Sequence, residues 1–123
     1  MHKAMQYVLY FDGIQKESKY PYDANYQACP RGNIGGPIKI YNFTQSPNED
    51  CAALRDLVAV RPATVALCAN SAFMIYDSGV FDGCPIDCRI NHAVLAYGYT
   101  SLGHWKLKNS SKLIKKICAG FAD

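Results

Sequence analysis

Asn91-His92-Ala93-Val94-Leu95-Ala96-Tyr97-Gly98-Tyr99, then Ser101-Leu102-Gly103, then His104-Trp105-Lys106-Leu107-Lys108-Asn109, is the stretch that decides the fold. The first run is apolar and aromatic, and the second alternates Trp and Leu with Lys. The pattern predicts two strands joined by a turn at Ser101-Leu102-Gly103. Antiparallel strands bring the start of one beside the end of the other, so His92 and Asn109 are expected as neighbours across the ladder. A histidine with an amide partner is the orienting half of a nucleophilic site. His92 also opens its strand directly after a polar, cysteine-bearing loop, where an imidazole can face a cleft on a fixed backbone. His2 and His104 have no such setting.

Upstream, Ala63-Thr64-Val65-Ala66-Leu67 reads as a buried strand. The segment before it starts at Ser46-Pro47-Asn48-Glu49, a capping-box pattern with proline at the first helical position, and predicts a helix to about Val60. Leu54, Leu57 and Val58 form its apolar stripe, and Arg61-Pro62 stops it. Ile38-Lys39-Ile40-Tyr41-Asn42-Phe43 alternates with period two and predicts a further strand. Residues 16–37 carry Pro21, Pro30 and Pro37, with turns at Pro30-Arg31-Gly32 and Gly35-Gly36-Pro37, and read as a crossing loop. Ala4 to Phe11 suits a short helix ending at Asp12-Gly13.

Half of the 123 residues are apolar and 19% are charged, the composition of an ordinary globular domain or part of one. No apolar run approaches the ~20 residues that span a bilayer, and the net charge of +3 is spread thinly, so neither membrane nor nucleic acid is an expected partner. Six cysteines point to the secretory pathway. Cys84-Pro-Ile-Asp-Cys88 is one residue longer than a redox pair, and no second pair at metal-finger spacing accompanies it, so no metal or cofactor is expected. Asn42-Phe43-Thr44 is a glycosylation sequon. Asn109-Ser110-Ser111 is another, in competition with the role of Asn109 beside His92.

Tyr20-Pro21-Tyr22, Tyr76-Asp77-Ser78-Gly79-Val80-Phe81, Asn91-His92-Ala93-Val94 with Tyr97-Gly98-Tyr99, and Trp105-Lys106-Leu107-Lys108-Asn109-Ser110 follow one another at separations that resemble papain-like cysteine proteases of the cathepsin type. The resemblance runs from about residue 4 to 110. It implies an α+β papain-like fold, truncated at both ends and consisting mostly of the β-rich right-hand domain with a helical stub of the left-hand domain. Residues 1–37 would be the stub and crossing loop, 38–110 the β-rich domain, and 111–123 an unmatched tail that could be a short helix. By resemblance the activity is that of a cysteine-type peptidase with a Cys–His–Asn site. His92 and Asn109 match its histidine and asparagine. Asn91 and Ala93 flank His92 where the family lines its substrate cleft. Ala66 and Ile90 match positions that help form the apolar pocket for the substrate's second residue, with core packing as the plainer reading. Peptide or protein substrates, a prosegment and inhibitors are the partners implied, in a lysosomal or secreted setting.

Three departures qualify the resemblance. The family's nucleophile lies in a Cys-Gly-Ser-Cys-Trp-like motif upstream of Tyr-Pro-Tyr, and none of the six cysteines matches it. The chain alone is therefore expected to be inactive, to need a nucleophile-bearing half, or to be a degenerate homologue. The family's Asn-Ser-Trp-Gly is replaced by Asn109-Ser110-Ser111-Lys112, so the tryptophan shield over the Asn–His bond is missing. Residues 113–123 match no family strand. By resemblance, Cys29 pairs with a cysteine absent here, and Cys84 or Cys88 bridges towards the carboxy terminus, where Cys118 is the downstream choice; a local Cys84–Cys88 bridge is the alternative. Neither Cys68 nor Cys88 is expected to act as a substitute nucleophile, because a buried or bonded cysteine has no thiolate character. The alternative function is a non-catalytic, secreted papain-like homologue acting as a binding module.

Overall fold

Two strands, β3 (His92–Tyr99) and β4 (Trp105–Lys108), run antiparallel from the turn at residues 101–103, and β1 (Ala63–Leu67) pairs antiparallel with the other edge of β3. The computed structural model describes residues 1–28, 35–47, 50–83 and 89–110, together with the backbone of 115–117. Five pairs, Ala63↔Ala96 to Leu67↔His92, join β1 to β3 without interruption. Alternation then sets Val65, Leu67, Val94 and Ala96 on one face, where all four are buried with Trp105 and Leu107 of β4. The β3–β4 register shifts between Ala96 and Gly98. One extra residue in β3 re-phases the strand, so Tyr99 pairs with Trp105 and packs against the core while Tyr97 stays exposed.

Helix α2 (Cys51–Val60) packs Val58 and Leu54 against this face. The Arg55 guanidinium lies 4.7 Å from the centre of the Tyr99 ring, a cation–π contact that ties the helix to the end of β3. The expected start at Ser46 is corrected: the Ser46 hydroxyl bonds to the Pro47 carbonyl, and Asp50 caps the helix by accepting from the Ala53 amide at 2.8 Å. An anionic cap satisfies that amide and also complements the positive end of the helix dipole. Arg61 is extended before Pro62, as expected of a residue preceding proline. After β1, a one-turn helix α3 (Ser71–Ile75) brings Phe73 into the core, followed by the short β2 (Val80–Phe81).

The tail corrects a second expectation. Instead of a helix, it contributes the strand β5 (Lys115–Ile117), antiparallel to β4 and parallel to β2, which gives a sheet of order β1-β3-β4-β5-β2. The second edge of β4 carries backbone donors and acceptors that a helix would leave unpaired. Expectations at Pro30-Arg31-Gly32, Glu49, Cys29, Cys84, Cys88 and Cys118 lie outside the described residues.

The chain divides into two compact units, Met1–Gln45 and Ser46–Asp123, so Ile38–Gln45 belongs with the first. That unit holds α1 (His2–Tyr10), which buries none of its side chains fully, and an isolated antiparallel bridge between Ile14 and Ile38. This bridge is all that forms of the expected strand over 38–43, where Ile38 and Tyr41 are exposed: alternation without a neighbouring strand has nothing to pair with. The close approach requires glycine at residue 13, whose φ is 108° and where a Cβ would collide with the Gly36 carbonyl oxygen. No helix among the described residues is long and apolar enough to cross a membrane.

Candidate functional site

Leu95 pairs with Lys108, so continuing the register puts Asn109 across from Val94, one diagonal step from His92 on the core face. The side chains meet there: His92 Nε2 lies 2.9 Å from Asn109 Oδ1. The amide oxygen has no proton to give, so Nε2 donates and the proton-accepting lone pair is left on Nδ1. Asn109 is only 6% exposed, and the same oxygen accepts the Ser110 amide at 2.8 Å, which fixes the orientation of the acceptor. Its sequon therefore rests on a buried side chain. Asn42, in the first unit, is exposed, with its Oδ1 accepting from the Phe43 amide.

The backbone that carries His92 is held from β1. Asn91 donates its amide to the Leu67 carbonyl at 3.2 Å. Its side chain then reproduces one more rung of the ladder, Oδ1 accepting from the Ala69 amide at 2.8 Å and Nδ2 donating to the Ala69 carbonyl at 3.2 Å. Ala66 and Ala93 are Cα partners, and strand alternation turns them to the sheet face opposite His92. Ala66 is half-buried and Ala93 exposed, and Ile90 is exposed just ahead of the strand.

Two residues at the site were not singled out from the sequence. Phe73 is 1% exposed, and its ring meets the imidazole of His92 at 66°, with ring centres 6.1 Å apart. Asn70 caps α3 by accepting the Phe73 amide at 2.8 Å and donates from Nδ2 to the Gly83 carbonyl at 3.0 Å. The available signal was a capping residue three positions ahead of an aromatic. Cys68 is disulfide-bonded, which removes it as a substitute nucleophile, and Cys51 is free and exposed. Among the described residues, no three His, Cys, Asp or Glu side chains gather as metal ligands would.

Residues 1–112 match the family described as papain family cysteine protease. The chain belongs to that family. It is 38% identical over 115 residues to a cathepsin L-like proteinase of Fasciola hepatica, a match covering 89% of this chain and 35% of that protein. To cathepsin S of Mus musculus it is 34% identical over 115 residues, covering 89% of the chain and 34% of that protein. The bromelain protease from Ananas comosus, solved in complex with the E64 inhibitor, superposes with a TM-score of 0.78 at 29% identity, covering 94% of this chain and 58% of that one. The fold is thus the α+β papain-like one, and this papain-family chain spans about a third of the length of those two curated relatives.

Proposed function

We propose that this chain supplies the imidazole half of a Cys–His–Asn peptidase site, acting on peptide or protein substrates when completed by a nucleophile-bearing half. The carrying observation is the His92 Nε2 to Asn109 Oδ1 bond of 2.9 Å at a largely buried asparagine. With Nε2 held as donor, Nδ1 is the atom that takes the proton of a cysteine thiol. The thiolate attacks the scissile carbonyl carbon and forms a C–S bond. Nδ1 then returns the proton to the amine nitrogen as the C–N bond breaks, and it next deprotonates the water that cleaves the acyl-thioester. Thiol and imidazole supply the nucleophile and the proton transfers without a metal or cofactor.

Ala66, Ala93 and Ile90 are the apolar side chains we assign to the substrate cleft. Asn91, whose side-chain amide bonds to Ala69, contributes there through its backbone. The same cleft takes a prosegment or a peptide-like inhibitor. A lysosomal or secreted setting is supported by the six cysteines, the bonded Cys68 and the exposed sequon asparagine Asn42. The remaining bridge we assign is Cys118 with Cys84 or Cys88, with Cys84–Cys88 as the alternative.

The test is complementation. The chain is joined to the nucleophile-bearing amino-terminal segment of a cathepsin L-like proteinase and assayed on a fluorogenic peptide. Thiol-dependent hydrolysis that His92→Ala abolishes is the expected result. A folded complex that binds a peptide inhibitor yet never turns over would replace this reading with the binding module.

A further inference from the structure

We propose that Phe73 is a positioning residue for His92: its buried ring holds the imidazole in the plane that keeps Nε2 on Asn109. The inference rests on the assignment of His92 as the peptidase base, and it adds a residue that neither the sequence motifs nor the family match singles out. A single hydrogen bond leaves a ring free to pivot about the bonded atom. A second, non-collinear contact removes that freedom. The bond to Asn109 fixes one nitrogen, and the Phe73 ring meets the imidazole at 66° with centres 6.1 Å apart, within the range of tilted aromatic pairs.

Phe73 is itself fixed from two sides. Its ring packs edge-on against Phe81 at 5.4 Å, 85°, and its backbone amide bonds to Asn70, which is tethered to the Gly83 carbonyl. With its ring 1% exposed, Phe73 has no freedom to follow a pivoting imidazole. The geometry therefore runs from Gly83 through Asn70 and Phe73 to His92, and the short helix α3 serves as the strut.

The experiment is solvent exchange of the His92 ring N–H in the 123-residue chain labelled with 15N at histidine, with a nuclear Overhauser contact between the Phe73 and His92 rings as the companion measurement. In the wild type a slowly exchanging Nε2–H and the ring contact are expected. A wild-type chain lacking both overturns the proposal. Phe73→Leu should speed the exchange about two- to tenfold. Val58→Ala, a core truncation on α2 outside the Gly83–Asn70–Phe73 chain, should leave it unchanged. Where Phe73→Leu fails to fold, Phe73→Met keeps nearly the full volume without an aromatic ring and is read in its place. Exchange unaltered in the Phe73 variant, or altered equally by Val58→Ala, refutes the strut. In the complemented enzyme, Phe73→Leu should lower kcat with KM unchanged. If that enzyme has no activity, the peptidase reading fails while the exchange data still decide whether Phe73 orients the ring.

Discussion

Replacing Asn109 by alanine tests the site and the fold together. Its Oδ1 takes two hydrogen bonds, from His92 Nε2 at 2.9 Å and from the Ser110 amide at 2.8 Å. A net ~0.5–1.5 kcal/mol for each bond puts the share of these two bonds at about 1–3 kcal/mol. Ser110 is exposed, so its amide recovers most of its share from water, and the half-buried His92 recovers part of its own. The expected destabilisation is therefore ~1–2 kcal/mol, a substantial fraction of the ~5–15 kcal/mol that holds a typical domain. Urea unfolding followed by tryptophan fluorescence at Trp105 and by far-ultraviolet circular dichroism measures it; a lower midpoint at unchanged slope is the expected form. In the complemented enzyme, a freed ring should lower kcat on the order of 10²-fold. Wild-type stability together with unaltered His92 ring resonances would refute the reasoning, because it would mean that the bond carries neither energy nor orientation.

Leu107→Ala should cost ~2–5 kcal/mol, because Leu107 is 0% exposed and its partner across the ladder is Ala96, too small to fill the space; a denaturant midpoint close to wild type would show that the sheet collapses around the gap. Asp23 carries the pH prediction: bonds from the Asn25 backbone, the Gln27 side chain and the Asn25 side chain hold its carboxyl below the usual carboxylate range. A depressed folded-state pKa means that these bonds are present at neutral pH and are lost only as pH falls through that lowered value. The Asn25 amide resonance should accordingly stay still through the ordinary carboxylate range and move below it, and a transition at the ordinary value would count against the turn.

Legibility followed locality. The β3–turn–β4 pair was readable because a period-two pattern, a turn and a second pattern lie within nineteen positions, Asn91 to Asn109, and pairing through a short turn leaves little freedom of register. Ser46 competes with Asp50 as the cap of α2 because Ser-Pro-x-Glu satisfies the local rule equally well, and the choice falls to whichever residue stands three positions before a helical amide that lacks a partner. The strand expected at 38–43 failed for the converse reason: alternation states what a strand would bury but not whether another strand is beside it. Phe73 was invisible as a site residue because its tie to His92 spans nineteen positions and two elements, and no periodicity encodes it.

Strand alternation also separates neighbouring residues of one short segment onto two faces. His92 turns to the core face, against Phe73 and Asn109, while Ala93 turns to the opposite face beside Ala66. A slip of one residue in the β1–β3 register would exchange the two, placing a methyl group on Asn109 and the imidazole beside Ala66. Two features oppose such a slip. The side chain of Asn91 adds a rung to Ala69 beyond the last strand pair, Leu67↔His92, which clamps the end that carries the histidine. The irregularity of the sheet sits at the other end, between Ala96 and Gly98, where the extra residue brings Tyr99 to Trp105 and leaves the five β1–β3 pairs unbroken. The re-phasing of β3 thus falls beside the turn, several residues from the imidazole, and the Asn109 end of β4 meets His92 in undisturbed register.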